Sequence, residues 1–347
     1  MSYQREYERR LKVAVVGVGS HCYRNVLPAL TFLPVEVRAF CDMNLELARK
    51  TAREYGVPAV YASTAELYAK EDLDAAILCV GPAQHPPLAL EALKAGLHVW
   101  LEKPPALRAA QVAEMLEHRG SKTVVVGFKK AFMPATLKAR ELLAQPEFGA
   151  LKSLLGIFPM DVPADAAAVL AESRYTDWLG NGVHPLSLLV DVGGPVKAVT
   201  VHRGAHGGGA CILEYASGAI GNFHLAAGAS RAQPIENYYL FGERGHILIE
   251  NGLRVVYQRG IPFQYGKSTT FAPEGLDHGA LVWEAANTLA TLENKALFTQ
   301  GMWGELKHFC DAALAGQPAT RGTLELALEV MKVYEAALKS GGRRIEL

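Results

Sequence analysis

The first 128 residues alternate two hydrophobic patterns. Near-continuous apolar runs stand at 12–18 (KVAVVGV), 35–41 (VEVRAFC), 74–80 (DAAILCV), 98–103 (HVWLEK) and 122–128 (KTVVVGF), with a weaker one at 58–62 (PAVYA). Runs of this length without polar alternation suit strands buried on both faces. Segments of helical spacing lie between them, at 24–32, 44–54, 64–69, 86–95 and 108–118. Gly56 and Gly96 follow two of these, where a left-handed residue often ends a helix. Alternation of this kind predicts right-handed crossovers and a doubly wound parallel sheet.

The rhythm changes after residue 130. A helix is predicted at 135–145. Longer strands with polar alternation follow: LKSLLGIF, VKAVTVHRG, ACILEYASG, AIGNFHLAAG, NYYLFGERG, HILIENG and RVVYQRG. Glycine-containing turns such as ASGA and ERGH separate them, the mark of hairpins and an antiparallel sheet. Two helices, at 302–315 and 322–339, close the chain. The predicted fold class is α/β. A Rossmann-type doubly wound parallel sheet occupies 1–127, and an α+β domain with a large, mainly antiparallel sheet occupies 128–347. A length of 347 residues also exceeds what one hydrophobic core usually serves.

Charge narrows the partners. The 35 Lys+Arg balance 35 Asp+Glu, so no basic excess is available to release counterions, and no nucleic-acid partner is expected. No run approaches the length of an apolar membrane span, so no membrane partner is expected either. The charged opening MSYQREYERR lacks the apolar core of a secretory signal. Cys22, Cys41, Cys79, Cys211 and Cys310 are scattered, with no CxxC pair. They read as small buried hydrophobes in a reducing compartment, and a cytoplasmic location is the expectation.

Candidate chemistry begins at VAVVGVGSHC. Gly17 and Gly19 fall between the first strand and a helix; the first permits a tight turn and the second lets backbone approach a pyrophosphate at the helix N-terminus. Ser20 and His21 continue the turn, and Cys22 stands where a third glycine would complete G-x-G-x-x-G. Asp42 ends the second strand, where a carboxylate accepts hydrogen bonds from an adenosine ribose and disfavours a 2′-phosphate. NAD is therefore the expected cofactor, with NADP the alternative. Val80, Gly81 and Pro82 end the fourth strand, and Glu102 and Lys103 end the fifth, at the edge where open α/β sheets bind ligands. His85 opens the helix after the fourth strand, as a ligand-facing residue or as a polar helix start.

With EKP at the fifth strand and GP-x-x-H at the fourth, the chain resembles the Gfo/Idh/MocA oxidoreductases, which include glucose–fructose oxidoreductase, inositol dehydrogenase and many sugar dehydrogenases. VGFKKAFMPA, EYASGAIGNFHLAAG, FGERGHILIENGLRVVYQRG and the closing ELKHFCDAALAGQPATRGTLELALEVMKVYEAAL extend the likeness over nearly the whole chain. The resemblance implies NAD(P)-dependent hydride transfer at a hydroxyl or carbonyl of a sugar, polyol, cyclitol or sugar acid. It makes Lys103 the active-site lysine, which would hydrogen-bond the reacting oxygen. It makes His184, in DWLGNGVHPLSLLV, the proton-transfer histidine. Here the chain departs from the family pattern D-x-x-x-H: Gly180 holds the aspartate position, and Ser187 replaces a common acid. Asn181 is the nearest polar side chain on that face, with Asp177 and Trp178 as further substrate candidates. Lys129, beside Lys130, would favour an anionic substrate. A homodimer or homotetramer formed through the C-terminal sheet is also implied. The alternatives are a glycoside hydrolase working by transient oxidation with held NAD, and a non-catalytic NAD-binding regulator.

Two other motifs carry nothing. AHGGGAC resembles an esterase oxyanion stretch, but the chain has no G-x-S-x-G elbow. The eleven histidines show neither HExxH nor Cys/His ligand spacing, so no metal is expected.

Overall fold

Six short strands, each at one of the apolar runs, form the first sheet of the computed structural model, which describes residues 5–230, 235–261, 263–269, 279–285 and 295–347. They are β1 (Leu11–Val16), β2 (Val35–Cys41), β3 (Ala59–Tyr61), β4 (Ala75–Leu78), β5 (His98–Leu101) and β6 (Val124–Val126). All pair in parallel, in the order β3-β2-β1-β4-β5-β6. The order reverses direction between β1 and β4, which makes their carboxyl ends a topological switch point. β4 is buried along its whole length, as strands covered by crossover helices must be. The helix Leu45–Tyr55 shows the local logic: Asn44 caps it by accepting from the Leu47 N–H, and Gly56 ends it at φ 68°.

The chain divides into two compact units that are discontinuous in sequence. The first comprises Met1–Phe132, Glu172–Tyr175 and Ala296–Lys332, and the second comprises Met133–Ala171, Thr176–Lys295 and Val333–Leu347. The helix Met302–Ala315 therefore belongs to the parallel sheet. Its Leu306, Phe309 and Cys310 are buried in one cluster with Val13, Val15, Ile77 and Trp100. Burial of a leucine or phenylalanine side chain is worth about 1.5–3 kcal/mol, so this return strongly favours the first unit.

The second unit is built on a nine-stranded sheet of β7 (Ser153–Phe158), β8 (Val196–Arg203), β9 (Gly209–Tyr215), β10 (Ile220–Leu225), β11 (Asn237–Phe241), β12 (Gly245–Glu250), β13 (Arg254–Arg259), β14 (Leu281–Glu284) and β15 (Ile345–Glu346). The order is β14-β13-β12-β11-β7-β10-β9-β8-β15. Every pair is antiparallel except β7 with β10. The helix Val183–Gly193 packs on β7, where a Cβ at Gly156 would lie 3.2 Å from Leu189 Cδ1. A side chain there would push the leucine away by a few tenths of an ångström, so glycine lets helix and strand approach closely.

The helix expected at 24–32 begins earlier and in another form. Cys22–Val26 is a π-helical turn that runs into the α-helix Leu27–Leu30. The Leu27 N–H donates to the Cys22 carbonyl, five residues back, and Pro28 has no N–H to donate. Among the described residues, no helix is long and apolar enough to cross a membrane.

Candidate active site

The glycine turn is built by steric exclusion. Gly17 sits at φ 86°, and a Cβ there would stand 2.4 Å from the Cys79 carbonyl oxygen and 2.8 Å from Val80 Cγ1. Its N–H donates to Cys41 O at 2.8 Å. The turn is thus pressed between the ends of β2 and β4. Gly19 differs: a Cβ there would meet nothing within 4 Å. Protein packing does not require glycine at 19, so the open space beside it fits a bound group approaching the backbone. Ser20 and His21 are exposed next to this space. Asp42 accepts from the Val18 N–H at 2.9 Å and from the Asn44 N–H at 2.8 Å, so its carboxylate closes the turn onto β2. Cys22 is 1% exposed; its thiol hydrogen-bonds with Cys79, and this bond together with burial pushes its pKa up.

The charged end of β5 is organised around Glu102, which is 6% exposed. One carboxylate oxygen accepts from His21 Nε2 at 2.8 Å, and the other accepts from the Lys103 backbone N–H. A Cβ at Gly127 would lie 2.8 Å from Glu102 Oε2, so that glycine makes room for the carboxylate. The Lys103–Pro104 peptide is cis. His85 lies wholly buried beneath it and donates from Nδ1 to the Pro104 carbonyl at 2.8 Å. The expectation that His85 touches a cofactor is therefore corrected: its ring has no exposed surface, and it supports the loop that carries Lys103. Burial also lowers its pKa.

Lys103 is partly buried. Burial pulls its ammonium below the usual lysine range, Glu102 opposes that, and the charge of Lys129 adds to the lowering. Lys129 donates to Gln300 Oε1 at 3.3 Å. Lys130 is only 7% exposed, so the two lysines are not a solvated surface pair. One further ionisable group is not announced by any motif. Glu305, in the first turn of Met302–Ala315, is 0% exposed and interacts electrostatically with Glu102, Lys129 and Lys103. Val80 and Pro82 are half-buried and Gly81 is exposed, at the end of β4.

In the second unit, Asp177 starts a short helix, Asp177–Gly180, and His184 lies in the first turn of the helix Val183–Gly193. Asn181 donates from Nδ2 to Asp177 Oδ1 at 2.6 Å. Asn181 is exposed and His184 half-buried. Ser187 is fully buried and donates to the His184 carbonyl at 2.8 Å, so its hydroxyl serves the helix backbone. Trp178, expected near substrate, is instead a core residue. It is 0% exposed, stacks with Phe223 at 6.2 Å, and its backbone oxygen would lie 2.3 Å from a Cβ at Gly182. Gly182 is the break between the two helices, and the buried indole leaves no room there for a side chain.

Residues 11–129 match the Gfo/Idh/MocA family model, an oxidoreductase family with an NAD-binding Rossmann fold. Over 219 residues the chain is 31% identical to a dTDP-3,4-didehydro-2,6-dideoxy-alpha-D-glucose 3-reductase from Streptomyces violaceoruber, covering 60% of this chain and 64% of the reductase. Over 144 residues it is 33% identical to an inositol 2-dehydrogenase/D-chiro-inositol 3-dehydrogenase from Shouchella clausii, covering 40% of this chain and 42% of the relative. The chain thus spans less than two thirds of the length of either. A dehydrogenase from Chromobacterium violaceum shares the fold with a TM-score of 0.78, at 20% identity over 95% of both chains. GenD2 from gentamicin A biosynthesis, solved in complex with NAD, does so with a TM-score of 0.75, at 23% identity over 100% of this chain and 99% of its own.

Proposed function

We propose, for a chain that belongs to the NAD-binding Gfo/Idh/MocA oxidoreductases through residues 11–129, that it is a dehydrogenase acting on a hydroxyl or carbonyl of a sugar, polyol, cyclitol or sugar acid. The observation that carries this reading is the setting of Lys103. It is a partly desolvated ammonium at the carboxyl edge of the parallel sheet, with its backbone held by Glu102, and Glu102 is tied to the glycine turn through His21.

The residues that would hold NAD are Gly17, Gly19, Ser20, His21 and Asp42 from the first turn, with Val80, Gly81 and Pro82 from the end of β4 and Glu102 and Lys103 from the end of β5. Asp42 is oriented by two backbone N–H donors and keeps a carboxylate where a 2′-phosphate would be repelled, which favours NAD over NADP. NAD, when bound, supplies the hydride acceptor or donor. The chain's own residues do the rest. Lys103 orients the substrate oxygen and stabilises the negative charge that grows on it. His184 holds or gives up the hydroxyl proton at its imidazole. Asn181, steadied by Asp177, offers a neutral hydrogen bond in place of the carboxylate missing at Gly180. Lys129 beside the buried Lys130 favours a substrate that carries an acid.

The nine-stranded sheet supports a homo-oligomer. Ile220, Ser153, Phe241 and His246 are successive register partners across four strands, so they share one face, and Ile220 and Phe241 are 45% and 36% exposed. A second copy of this chain would cover that row.

The deciding experiment follows nicotinamide absorbance over a panel of sugars, inositols and sugar acids, with NAD and with NADP. Turnover is expected with NAD on at least one class. Lys103→Met should lower it by about two orders of magnitude or more, with a much smaller loss of NAD affinity. Full activity in that variant, or cofactor binding with no turnover on any member, overturns the reading.

A further inference from the structure

Glu305 has no place in the reading above, and packing alone does not explain it. It is completely buried, and neither carboxylate oxygen has a hydrogen-bond partner among the described residues. Its helix packs on the segment Lys129–Phe132 and on β5 and β6. The approach is close: a Cβ at Gly304 would stand 3.1 Å from the Phe132 carbonyl oxygen. An ionised carboxylate with no hydrogen bond is costly in such surroundings, and the group retains its proton instead. Burial pushes its pKa well up and Glu102 pushes the same way, while Lys129 and Lys103 oppose them. Among the described residues, those three charged groups act on it, from the end of β5 and from the segment Lys129–Phe132. On its own helix, Lys307 pairs with Asp311 on the exposed side, and the His308 ring lies 5.5 Å from that of Phe132.

We propose that Glu305 is a positioning residue for Lys103: a buried acid on the returning helix that governs the charge of the lysine. The proposal rests on the reading of Lys103 as the lysine of the site. While Glu305 holds its proton it adds no charge, and Lys103 is governed mainly by its burial, Glu102 and Lys129. Once Glu305 ionises, its negative charge favours the ammonium form. The two groups therefore titrate as a pair. The two proton losses belong to the pair, and whenever Glu305 is ionised its charge holds the ammonium of Lys103. Lys103 accordingly stays cationic to a higher pH than its burial alone would allow. A cationic donor is what a substrate oxygen gaining negative charge requires.

The test reads the titration of an amine, not turnover. An amine-acylating reagent in limiting amount labels Lys103, and its peptide is quantified by mass spectrometry between about pH 6 and 10. In Glu305→Gln, Lys103 should titrate about one pH unit lower, so that labelling below the transition is about tenfold faster. Identical Lys103 titration in wild type and Glu305→Gln overturns the proposal. If that variant does not fold, carboxyl NMR of the wild-type protein decides. A Glu305 carboxyl that titrates in step with Lys103 supports the inference, and one that loses its proton in the ordinary carboxylate range overturns it. A protein without dehydrogenase activity that still shows the Lys103 shift fails the proposed function and keeps this inference. An active dehydrogenase whose Lys103 ignores Glu305 does the reverse.

Discussion

His21 and Glu102 meet at 2.8 Å, Nε2 to Oε1, and so join the end of the glycine turn to the end of β5. The direction of this bond follows from its neighbour. Asn25 Nδ2, 3.3 Å from His21 Nδ1, can only donate, so Nδ1 accepts and the ring proton sits on Nε2, facing the carboxylate. The other oxygen of Glu102 takes the Lys103 N–H. One carboxylate thus holds both the glycine turn and the backbone of the lysine. Glu102→Gln replaces one acceptor oxygen with a donor, and either His21 or the Lys103 N–H loses its partner. The expected result is a fall in kcat/KM of about ten- to a hundredfold, with the protein still folded by circular dichroism. Kinetics equal to wild type would show that the link does not matter.

The two glycines of the first turn should separate packing from ligand binding. Gly17 has a positive φ and two close neighbours, so Gly17→Ala should destabilise the first unit, by about 1–3 kcal/mol or more in urea unfolding. Gly19 has open space where its Cβ would go. Gly19→Ala should therefore unfold like wild type and yet bind NAD at least about tenfold more weakly in calorimetry. A Gly19→Ala protein with unchanged NAD affinity would remove the phosphate approach from this turn.

What the sequence announced, and what it hid, divides along physical lines. The strands of the parallel sheet are readable because both faces are buried, which leaves runs such as Ala75–Leu78 uninterrupted by polar residues. Strands β7 to β13 are readable because glycine turns punctuate alternating patterns. β14 is not, since it is only four residues long and alternates half-buried with exposed positions without burying any of them. Trp178 and His85 mislead because proximity to a motif says nothing about which way a ring turns; one fills the core under β10 and the other supports Pro104. Glu305 was hidden by convention, as an acid in the first turn of a helix is ordinary. The signal was its register. It falls in the buried series Met302, Glu305, Leu306, Phe309, Cys310 and Ala313, where the helical period calls for apolar residues.

The exposed sheet row offers a test of assembly. Phe241 stacks on Tyr239 and lies 5.7 Å from the His246 ring, within the exposed row. Phe241→Glu places a charge in the middle of the Ile220–Ser153–Phe241–His246 row. Sedimentation velocity is expected to give an oligomer for the wild type and a smaller species for the variant, with the fold intact. A wild-type monomer, or a variant that sediments like its parent, rules this face out.

His85 predicts how stability depends on pH. Burial holds its folded pKa below the ordinary value of 6.5, so the folded protein keeps the ring neutral where the unfolded chain binds a proton. Folding then releases that proton, and stability is intact above about pH 6.5 and lost as the pH falls below it. His98 and His308 are lowered mainly by burial too, and both push in the same direction. Asparagine at 85 can still donate to the Pro104 carbonyl, but it does not titrate. Urea midpoints measured from about pH 7 to pH 5 should therefore fall less steeply in His85→Asn than in wild type. The gap should open only below about pH 6.5, because above it neither state of the wild-type ring is charged. Parallel curves across the whole range would mean that the buried ring accepts a proton as readily as one in water, and that the support under Pro104 is open to solvent.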